Sequence, residues 1–193
     1  MMNADPRKFE FAELLSQVSF HEAIELAYYG AKVIHPKTIQ PLQRKKIPLR
    51  IRSFVDSAAP GTLIGENLEQ KPALPFYIMK ENQMLLSVSS PDFAFIVEDH
   101  LSEIFSILAK YGVSVNLMQN SAISFSVCFD ARPMQFDKLL ADLQSKFEVH
   151  YNEGLTLYTI RHYTAQAVQK LLAHKSLILE QKSRNTLQWL VNE

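Results

Sequence analysis

The chain has 193 residues, and its 20 basic and 20 acidic side chains give a formal net charge of zero. This balance gives no electrostatic reason to expect nucleic acid or an anionic membrane surface as a partner, and the sequence has no apolar run of about 18 residues that would predict a transmembrane helix. Hydrophobic residues make up 47% of the chain, which excludes a disordered polar protein and, at this length, allows one large domain or two small ones.

The first third of the chain, residues 1–70, contains a clear helix signal. Ser19 and Glu22 have the spacing of a capping box, in which each side chain accepts a hydrogen bond from the backbone N–H of the other residue. Apolar residues then recur at helical spacing, and Gly30 is a natural C-terminal stop. The pattern therefore predicts a helix between Ser19 and Gly30.

Three further elements and a linker complete this first part. The spacing predicts a helix over 37–46, a strand over 47–54 and a turn over 57–62. The sequence KPALP, at 71–75, has two prolines in five residues, which is typical of a linker. We therefore expect a domain boundary close to this linker.

After the linker the pattern changes to that of two small α+β units. The predicted elements of the first unit are strands at 84–90, 113–119, 123–129 and 149–151 and helices at 101–112 and 136–147. Those of the second unit are strands at 155–162, 176–183 and 186–193 and a helix at 164–174. The repeated order, βαββαβ and then a shorter βαββ, predicts an α+β fold with units at 76–152 and 153–193.

Motifs of known catalytic chemistry are absent. The chain has 5 glycines and contains neither a GxxxxGK[ST] nor a GxGxxG phosphate loop. CxxC and HExxH are also absent, so no metal site is predicted. The single cysteine, Cys128, lies in the alternating run SFSVCF, which favours a buried structural thiol over a reactive one. Together with an N-terminus that has no apolar signal core, it fits a reducing cytoplasm.

Five stretches of the sequence stand in the order and at the spacing of a known family. They are NADPR (3–7), VSFHEAIELAYYGAKVIHPKTI (18–39), IPLRIRSF (47–54), PGTLIGE (60–66) and LSEIFSILAKYGVSVNLMQNS (101–121). They resemble aspartate kinase (aspartokinase), which transfers a phosphoryl group from ATP to L-aspartate in lysine, threonine and methionine biosynthesis. The resemblance weakens after about residue 155.

The resemblance implies a chain with two kinds of domain. Residues 1–70 would be the C-terminal remnant of an amino-acid kinase domain, and the α+β units would be paired ACT regulatory domains, which have the ferredoxin-like βαββαβ fold. The family's N-terminal Lys-Phe-Gly-Gly phosphate motif and aspartate-binding residues are missing, so we expect the C-terminal portion of such an enzyme. This portion alone would be inactive and without a cofactor, whereas the full-length enzyme would use ATP and Mg²⁺.

Two residues of the first part would bind the nucleotide, according to the resemblance. Lys32 matches a position near the phosphates, where a point charge on a flexible stem suits a moving phosphoryl group. Asp5 matches the acidic residue of a loop that contacts the nucleoside end. Without the resemblance, an isolated lysine such as Lys32 would be interpreted as a solvated surface charge.

The resemblance also implies a site for an amino-acid effector, built from a strand-to-helix loop, the helix start and the next strand of a partner unit. In this sequence the matching residues are Phe95, Asp99, His100, Leu101, Val115, Asn116, Gln119, Asn120 and Ser121. A helix N-terminus offers free N–H groups to a carboxylate, and amide or carbonyl oxygens can accept hydrogen bonds from an ammonium. From the residues alone, 89–100 would be only a long connection between a strand and a helix.

Three functions remain open at this stage. The chain could be a regulatory portion that binds an end-product amino acid, an ACT scaffold that dimerises without a ligand, or a complete small enzyme, which the absent phosphate loop opposes. Asn116 and Ala122 stand where the lysine-sensitive members of the family have acidic residues, which favours threonine over lysine as effector. The ACT-like units leave edges and faces to cover, so a homodimer is expected.

Overall fold

A computed structural model of the chain describes residues 1–56, 58–92, 94–131, 135–172 and 175–192. Its helices are α1 (Phe20–Tyr29), α2 (Pro36–Arg44), α3 (Glu98–Lys110), α4 (Phe136–Gln144) and α5 (Ala165–Leu172). Its strands are β1 (Gln17–Ser19), β2 (Leu49–Ile51), β3 (Thr62–Gly65), β4 (Phe76–Ser89), β5 (Val115–Asn120), β6 (Ser124–Asp130), β7 (Glu148–Arg161), β8 (Ser176–Lys182) and β9 (Thr186–Asn192). The last residues of the helix predicted over 164–174 and of the strand predicted over 186–193 lie outside the described residues.

The strands form two sheets. A three-stranded sheet has the order β1-β3-β2, with β1 parallel and β2 antiparallel to β3. β1 and β3 were not predicted, because they have only three and four residues, too few for an alternating pattern to be recognised. The turn predicted over 57–62 overlaps β3, which begins at Thr62, and β2 occupies only the centre of the strand predicted over 47–54.

The second sheet contains the ferredoxin-like arrangement. Its order is β5-β6-β4-β7-β9-β8, and β6 pairs antiparallel with both β4 and β5. Along the chain the elements β4-α3-β5-β6-α4-β7 give the βαββαβ order, and β7-α5-β8-β9 give the shorter βαββ order. The α+β fold class is therefore confirmed.

Strands β4 and β7 of this sheet are much longer than the sequence patterns predicted. β4 spans Phe76–Ser89, whereas a strand was predicted at 84–90. β7 runs without interruption from Glu148 to Arg161, whereas separate strands were predicted at 149–151 and 155–162. The sequence NEG resembles a turn, but Gly154 has a φ of 68° inside the strand, a left-handed conformation that glycine adopts readily. The predicted boundary at 152/153 falls inside β7, and the assignment of family domains to 1–70, 76–152 and 153–193 stays a prediction.

The described residues group into two compact units. Unit 1 comprises Met1–Met79, the described part of 158–174 and Lys182–Leu187. Unit 2 comprises Lys80–Leu157 and the described parts of 175–181 and 188–193. The end of β7 and the α5 segment thus belong to the same compact unit as the N-terminal part of the chain.

Helix α1 is the central helix of unit 1. The Oγ of Ser19 accepts a hydrogen bond from the backbone N–H of Glu22 at 3.0 Å, and Gly30 ends the helix with a φ of 109°, so both predicted ends are confirmed. The reciprocal half of the predicted capping box is wrong. The carboxylate of Glu22 accepts hydrogen bonds from Arg161 and His162.

Apolar residues of α1 bury the helix in unit 1. Burial of a large apolar side chain such as that of Phe20 or Leu26 contributes about 1.5–3 kcal/mol. Residues of α1 belong to two apolar clusters. The first consists of Leu15, Val18, Leu26, Phe76 and Ile78, and the second of Phe20, Ala23, Ile39 and Ile64. Two separate contact faces therefore fix the place of α1.

Unit 2 has apolar clusters on two faces of its sheet. Successive residues of a strand point to opposite faces, and Leu85 and Leu86 of β4 accordingly belong to different clusters. Leu86 lies with Ile104 and Leu108 of α3 and with Leu139 of α4 in the larger cluster. The two helices therefore cover one face of this part of the sheet.

Candidate functional site

Asp5 lies in an N-terminal turn of unit 1. Its carboxylate accepts hydrogen bonds from Arg7 Nε at 3.0 Å and from Arg7 Nη2 at 2.7 Å. The hydrogen bond from the Arg7 side chain is the main reason why the pKa of Asp5 falls to about 2. The turn is held by Asn3, whose Nδ2 donates to the carbonyl oxygen of Pro75 at 3.0 Å. Asp5 is therefore ionised at neutral pH and paired with Arg7.

Lys32 is exposed and lies two residues after Gly30, the C-cap of α1. The backbone N–H of Ala31 donates to the carbonyl oxygen of Leu26 at 2.9 Å, which closes the cap formed by Gly30. α2 then starts with His35 as its N-cap, whose Nδ1 accepts from the N–H of Lys37 at 3.2 Å. A short connection between two capped helices thus carries Lys32.

The residues predicted for an effector site fall into two groups, at opposite ends of β5. The first group lies near the turn between β5 and β6, because the N–H of Ile96 donates to the carbonyl oxygen of Ala122 at 2.9 Å. This hydrogen bond ties the start of α3 to the turn that contains Ser121. In the same turn, the Oγ of Ser121 accepts from the N–H of Ser124 at 3.1 Å.

The side chains at the start of α3 differ in burial. Phe95 and Asp99 are exposed, so both are accessible to a ligand or to a partner chain. The ring of His100 packs edge-on against Phe147 with 5.9 Å between the ring centroids. Leu101 packs against the larger core cluster. His100 and Leu101 therefore also have a structural role.

Asn116 lies at the other end of β5, in contact with residues that were not predicted to belong to the site. The pairing of β5 with β6 shifts register between Val115 and Leu117, and such a bulge redirects a side chain. The amide Nδ2 of Asn116 donates to Gln83 Oε1 at 2.7 Å and to Asp130 Oδ1 at 2.9 Å. Its Oδ1 accepts from Lys80 Nζ at 2.8 Å. Asn116 is therefore part of a polar network.

The positions of the remaining predicted residues follow from the geometry of β5. A strand rises about 3.3 Å per residue, so Asn116 and Ser121 are separated by roughly 16 Å along the chain. Gln119 and Asn120 lie between them and are exposed, whereas Val115 packs against the core. Within the described part of one chain, the predicted effector residues do not converge on a single pocket.

Cys128 is buried, as the alternating run predicted. Its Sγ donates to Gln83 Oε1 at 3.6 Å. Burial is the main cause that raises the pKa of this thiol to about 12. The thiolate is therefore scarce at neutral pH, as expected for a structural cysteine.

A buried ion pair in unit 1 was not predicted from the sequence. Arg161 donates to Glu22 through Nε at 2.7 Å and through Nη2 at 3.0 Å. The side chains of Arg161 and Glu22 are only 7% and 9% exposed. An arginine at the end of the apolar run LTLYTIR was the available signal, because such a residue needs a buried partner.

Among the described residues, no group of three or more His, Cys, Asp or Glu side chains could hold a metal ion. No helix in the described ranges is long and apolar enough to span a bilayer.

Comparisons with known proteins give the family. Residues 1–53 match the amino acid kinase family. Lysine-sensitive aspartokinase 3 of Escherichia coli is 32% identical over 163 residues, which are 81% of this chain and 36% of that protein. The chain belongs to the aspartokinase family. A chloroplastic aspartokinase 1 of Arabidopsis thaliana is 29% identical over 184 residues, 93% of this chain and 32% of that protein.

Solved aspartokinase structures have the same fold. E. coli aspartokinase III in complex with lysine and aspartate matches with a TM-score of 0.80 and 29% identity, over 99% of this chain and 46% of that one. Aspartate kinase of Clostridium acetobutylicum matches with a TM-score of 0.82 at 22% identity, over 100% and 48%. This aspartokinase chain spans about a third of the length of the curated relatives it matches and corresponds to their C-terminal portion.

Proposed function

We propose that this chain is the regulatory portion of an aspartokinase, binds an end-product amino acid, and pairs with a second copy of itself through β5. The E. coli relative whose fold it shares was solved with lysine and aspartate bound, which supports an amino acid as the ligand. A longer aspartokinase would transfer the phosphoryl group of ATP, with Mg²⁺, to aspartate. Asp5 and Lys32 would be this chain's contribution to the nucleotide site.

The observation that carries the pairing is the edge position of β5. In the described residues, β5 ends the six-stranded sheet, and an edge strand presents N–H and C=O groups that another strand can bind. Beside this edge, Met118 is 51% exposed, and Ile123 and Phe105 are also exposed. Antiparallel pairing of two β5 strands around a two-fold axis would satisfy the backbone groups and bury these side chains.

We predict that the chain is a dimer at tens of micromolar. Light scattering should give twice the monomer mass of 22.1 kDa. Met118→Glu should return the monomer mass, because a carboxylate at the centre of the interface would lose its hydration without a partner.

The matched control for this variant lies at the other edge of the sheet. Leu177 of β8 is 45% exposed, so Leu177→Glu adds the same charge on a strand outside the proposed interface and should leave the dimer intact. A wild-type mass of 22.1 kDa, or dissociation by Leu177→Glu but not by Met118→Glu, would contradict pairing through β5.

The proposed effector site combines the start of α3 with residues of β5 from the partner copy. The first N–H groups of α3 suit a ligand carboxylate. Glu98 and Asp99 lie in the first turn of α3 and are exposed, so they suit the ligand ammonium. Pairing of two β5 strands would bring a second Gln119 and Asn120 to the same edge, which explains why one chain alone does not enclose the site.

The occupied acceptor oxygen of Asn116 favours threonine over lysine as the ligand, although the Asp130 carboxylate, which accepts from Asn116 Nδ2 at 2.9 Å, offsets part of the nearby positive charge. Lys80 Nζ lies 2.8 Å from Asn116 Oδ1, so this position already has an ammonium as its neighbour. Two ammonium groups about 4 Å apart repel by roughly 1 kcal/mol in water and roughly 4 kcal/mol near a protein surface. Threonine brings a neutral hydroxyl instead.

The chain alone should have no aspartate kinase activity. Phosphoryl transfer depends on positioning and electrostatic stabilisation by several groups, and Asp5 and Lys32 are only two of them. A coupled ADP-release assay with aspartate should give the same rate for the wild type and for Lys32→Ala. Aspartate-dependent ADP release that Lys32→Ala abolishes would refute this expectation.

A further inference from the structure

The side chain of Arg161 contacts three residues of α1. Its guanidinium binds Glu22 at 2.7 and 3.0 Å, and its Nη1 donates to Glu25 Oε2 at 2.9 Å. Its carbon Cζ lies 5.7 Å from the ring centroid of Tyr29. We call Arg161, Glu22, Glu25 and Tyr29 the α1 clamp.

The spacing of the three α1 residues makes Arg161 sensitive to the rotation of the helix. Residues 22, 25 and 29 are separated by three and four positions, so they lie along one stripe of an α-helix. Each residue step turns the helix by about 100°, so even a partial rotation of α1 would remove both carboxylates from the guanidinium. The bidentate pair with Glu22 adds a planar constraint.

Arg161 is itself held from the other side. Thr186 Oγ1 accepts a hydrogen bond from Arg161 Nη1 at 3.0 Å, and His162 Nε2 lies 3.0 Å from Glu22 Oε2. The guanidinium therefore cannot follow α1 without losing its hydrogen bond to Thr186.

The orientation of α1 determines the direction in which Lys32 leaves it. Gly30 and Ala31 are hydrogen-bonded to the last turn of α1 at 3.2 and 2.9 Å, and Lys32 is the next residue. A buried ion pair is a poor source of stability, because an apolar replacement of similar volume is often as stable. The apolar clusters hold α1 against its neighbours, and the directional hydrogen bonds of the clamp add a constraint on its rotation.

We propose that Arg161 is a positioning residue, which sets the rotation of α1 and thereby the place of Lys32 relative to the nucleotide phosphates. This inference rests on the proposed nucleotide role of Lys32. Nucleotide binding by Lys32 would then also depend on Arg161, which lies at the end of β7 and far from Lys32 in sequence.

The test uses backbone amide signals of the whole chain in solution, with Mg²⁺·ADP as the nucleotide probe. Without nucleotide, Arg161→Gln should shift the amide signals of Ala31–Val33 and speed amide exchange at Gly30 and Ala31 by about tenfold or more. Arg161→Lys keeps the charge but cannot bridge both carboxylates, so it should restore only part of the wild-type signals.

Two further variants keep the test informative. Arg184→Gln removes an exposed arginine from the same unit and should leave the signals of Ala31–Val33 unchanged. Glu25→Gln removes the more exposed carboxylate of the clamp, so it should show a smaller shift of the same sign even if Arg161→Gln does not fold. Wild-type signals at Ala31–Val33 in folded Arg161→Gln and Glu25→Gln would overturn the inference.

Addition of Mg²⁺·ADP separates this inference from the proposed function. Two groups of the site alone would bind the nucleotide only weakly, so the titration is carried to millimolar Mg²⁺·ADP. In the wild type, signals near Asp5 and near Lys32 should then both move, whereas in Arg161→Gln only those near Asp5 should move. Retention of the Lys32 response in Arg161→Gln would overturn the inference. If the wild type shows no response at all, the nucleotide role of Lys32 fails, while the amide signals without nucleotide still decide whether Arg161 positions the segment.

Discussion

Arg161→Ala is expected to lower the free energy of unfolding of unit 1 by about 3–5 kcal/mol. The change removes two hydrogen bonds to Glu22 and one to Glu25 and leaves the Glu22 carboxylate, which is 9% exposed, in a buried place. Glu22 keeps only His162 as a partner, so the cost is that of a poorly paired buried charge and not the net worth of the pair. Urea unfolding followed by far-UV circular dichroism at pH 7 would measure the loss.

Two comparisons show whether the pair is responsible. Arg184→Ala removes an exposed arginine of unit 1 and should change the unfolding free energy by less than about 0.5 kcal/mol. The double variant Glu22→Leu with Arg161→Met should lose less than the two single variants together, because no unpaired charge is left at Glu22. Strict additivity would contradict this explanation.

The pH dependence of stability gives the sign of the Glu22 contribution. Burial acts to raise the pKa of Glu22, but hydrogen bonds and charges from Arg161 and His162 lower it overall, below its ordinary value of 4.5. A lowered carboxyl pKa gives stability that is present above the unfolded-state pKa and is lost as the pH falls through the folded-state pKa. The difference between the wild type and Arg161→Ala should therefore shrink below about pH 4.

Ile104→Ala is expected to lower the free energy of unfolding of unit 2 by about 2–5 kcal/mol. Ile104 is completely buried and packs with Leu86, Val127 and Leu139 between α3 and the sheet. Alanine leaves a cavity at the centre of this cluster, and the start of α3 loses its support. Urea unfolding followed by the fluorescence of Trp189, which belongs to unit 2, would report the change.

An exposed isoleucine, Ile178, provides the control for Ile104→Ala. Ile178→Ala removes the same atoms from the half-exposed surface of β8 and should cost about 1 kcal/mol or less. A loss at Ile104 no larger than that at Ile178 would show that the α3 cluster does not determine the stability of unit 2.

Local signals predicted those parts of the fold that depend on neighbours in sequence. The cap at Ser19 and the stop at Gly30 satisfy backbone groups within one helix, and both are found as predicted. The hydrogen-bond partner of the Glu22 carboxylate could not be predicted from local signals, because Arg161 is 139 positions away in the sequence. A capping box and a buried ion pair use the same residue type at the same position.

The candidate site shows the same limit. The family resemblance identified Asn116 by its position in β5, but the network that holds its amide comes from β4 and β6 through Gln83 and Asp130. That network depends on a register shift between two strands, and register is set by pairing and not by the strand's own sequence. The positions of the residues at the start of α3, by contrast, could be predicted, because they depend only on the local order of strand, loop and helix.

Isothermal titration calorimetry with threonine and lysine tests the central claim most directly, namely that this aspartokinase portion binds an end-product amino acid. We expect threonine to bind more tightly than lysine, since Lys80 occupies the acceptor oxygen of Asn116. Asn116→Asp should improve lysine binding, and Asp99→Asn should weaken binding of either ligand. If threonine, lysine and methionine all give no heat of binding, the claim is contradicted and a dimerisation scaffold remains. If lysine binds more tightly than threonine and this binding survives Asp99→Asn, the assignment of the effector is contradicted.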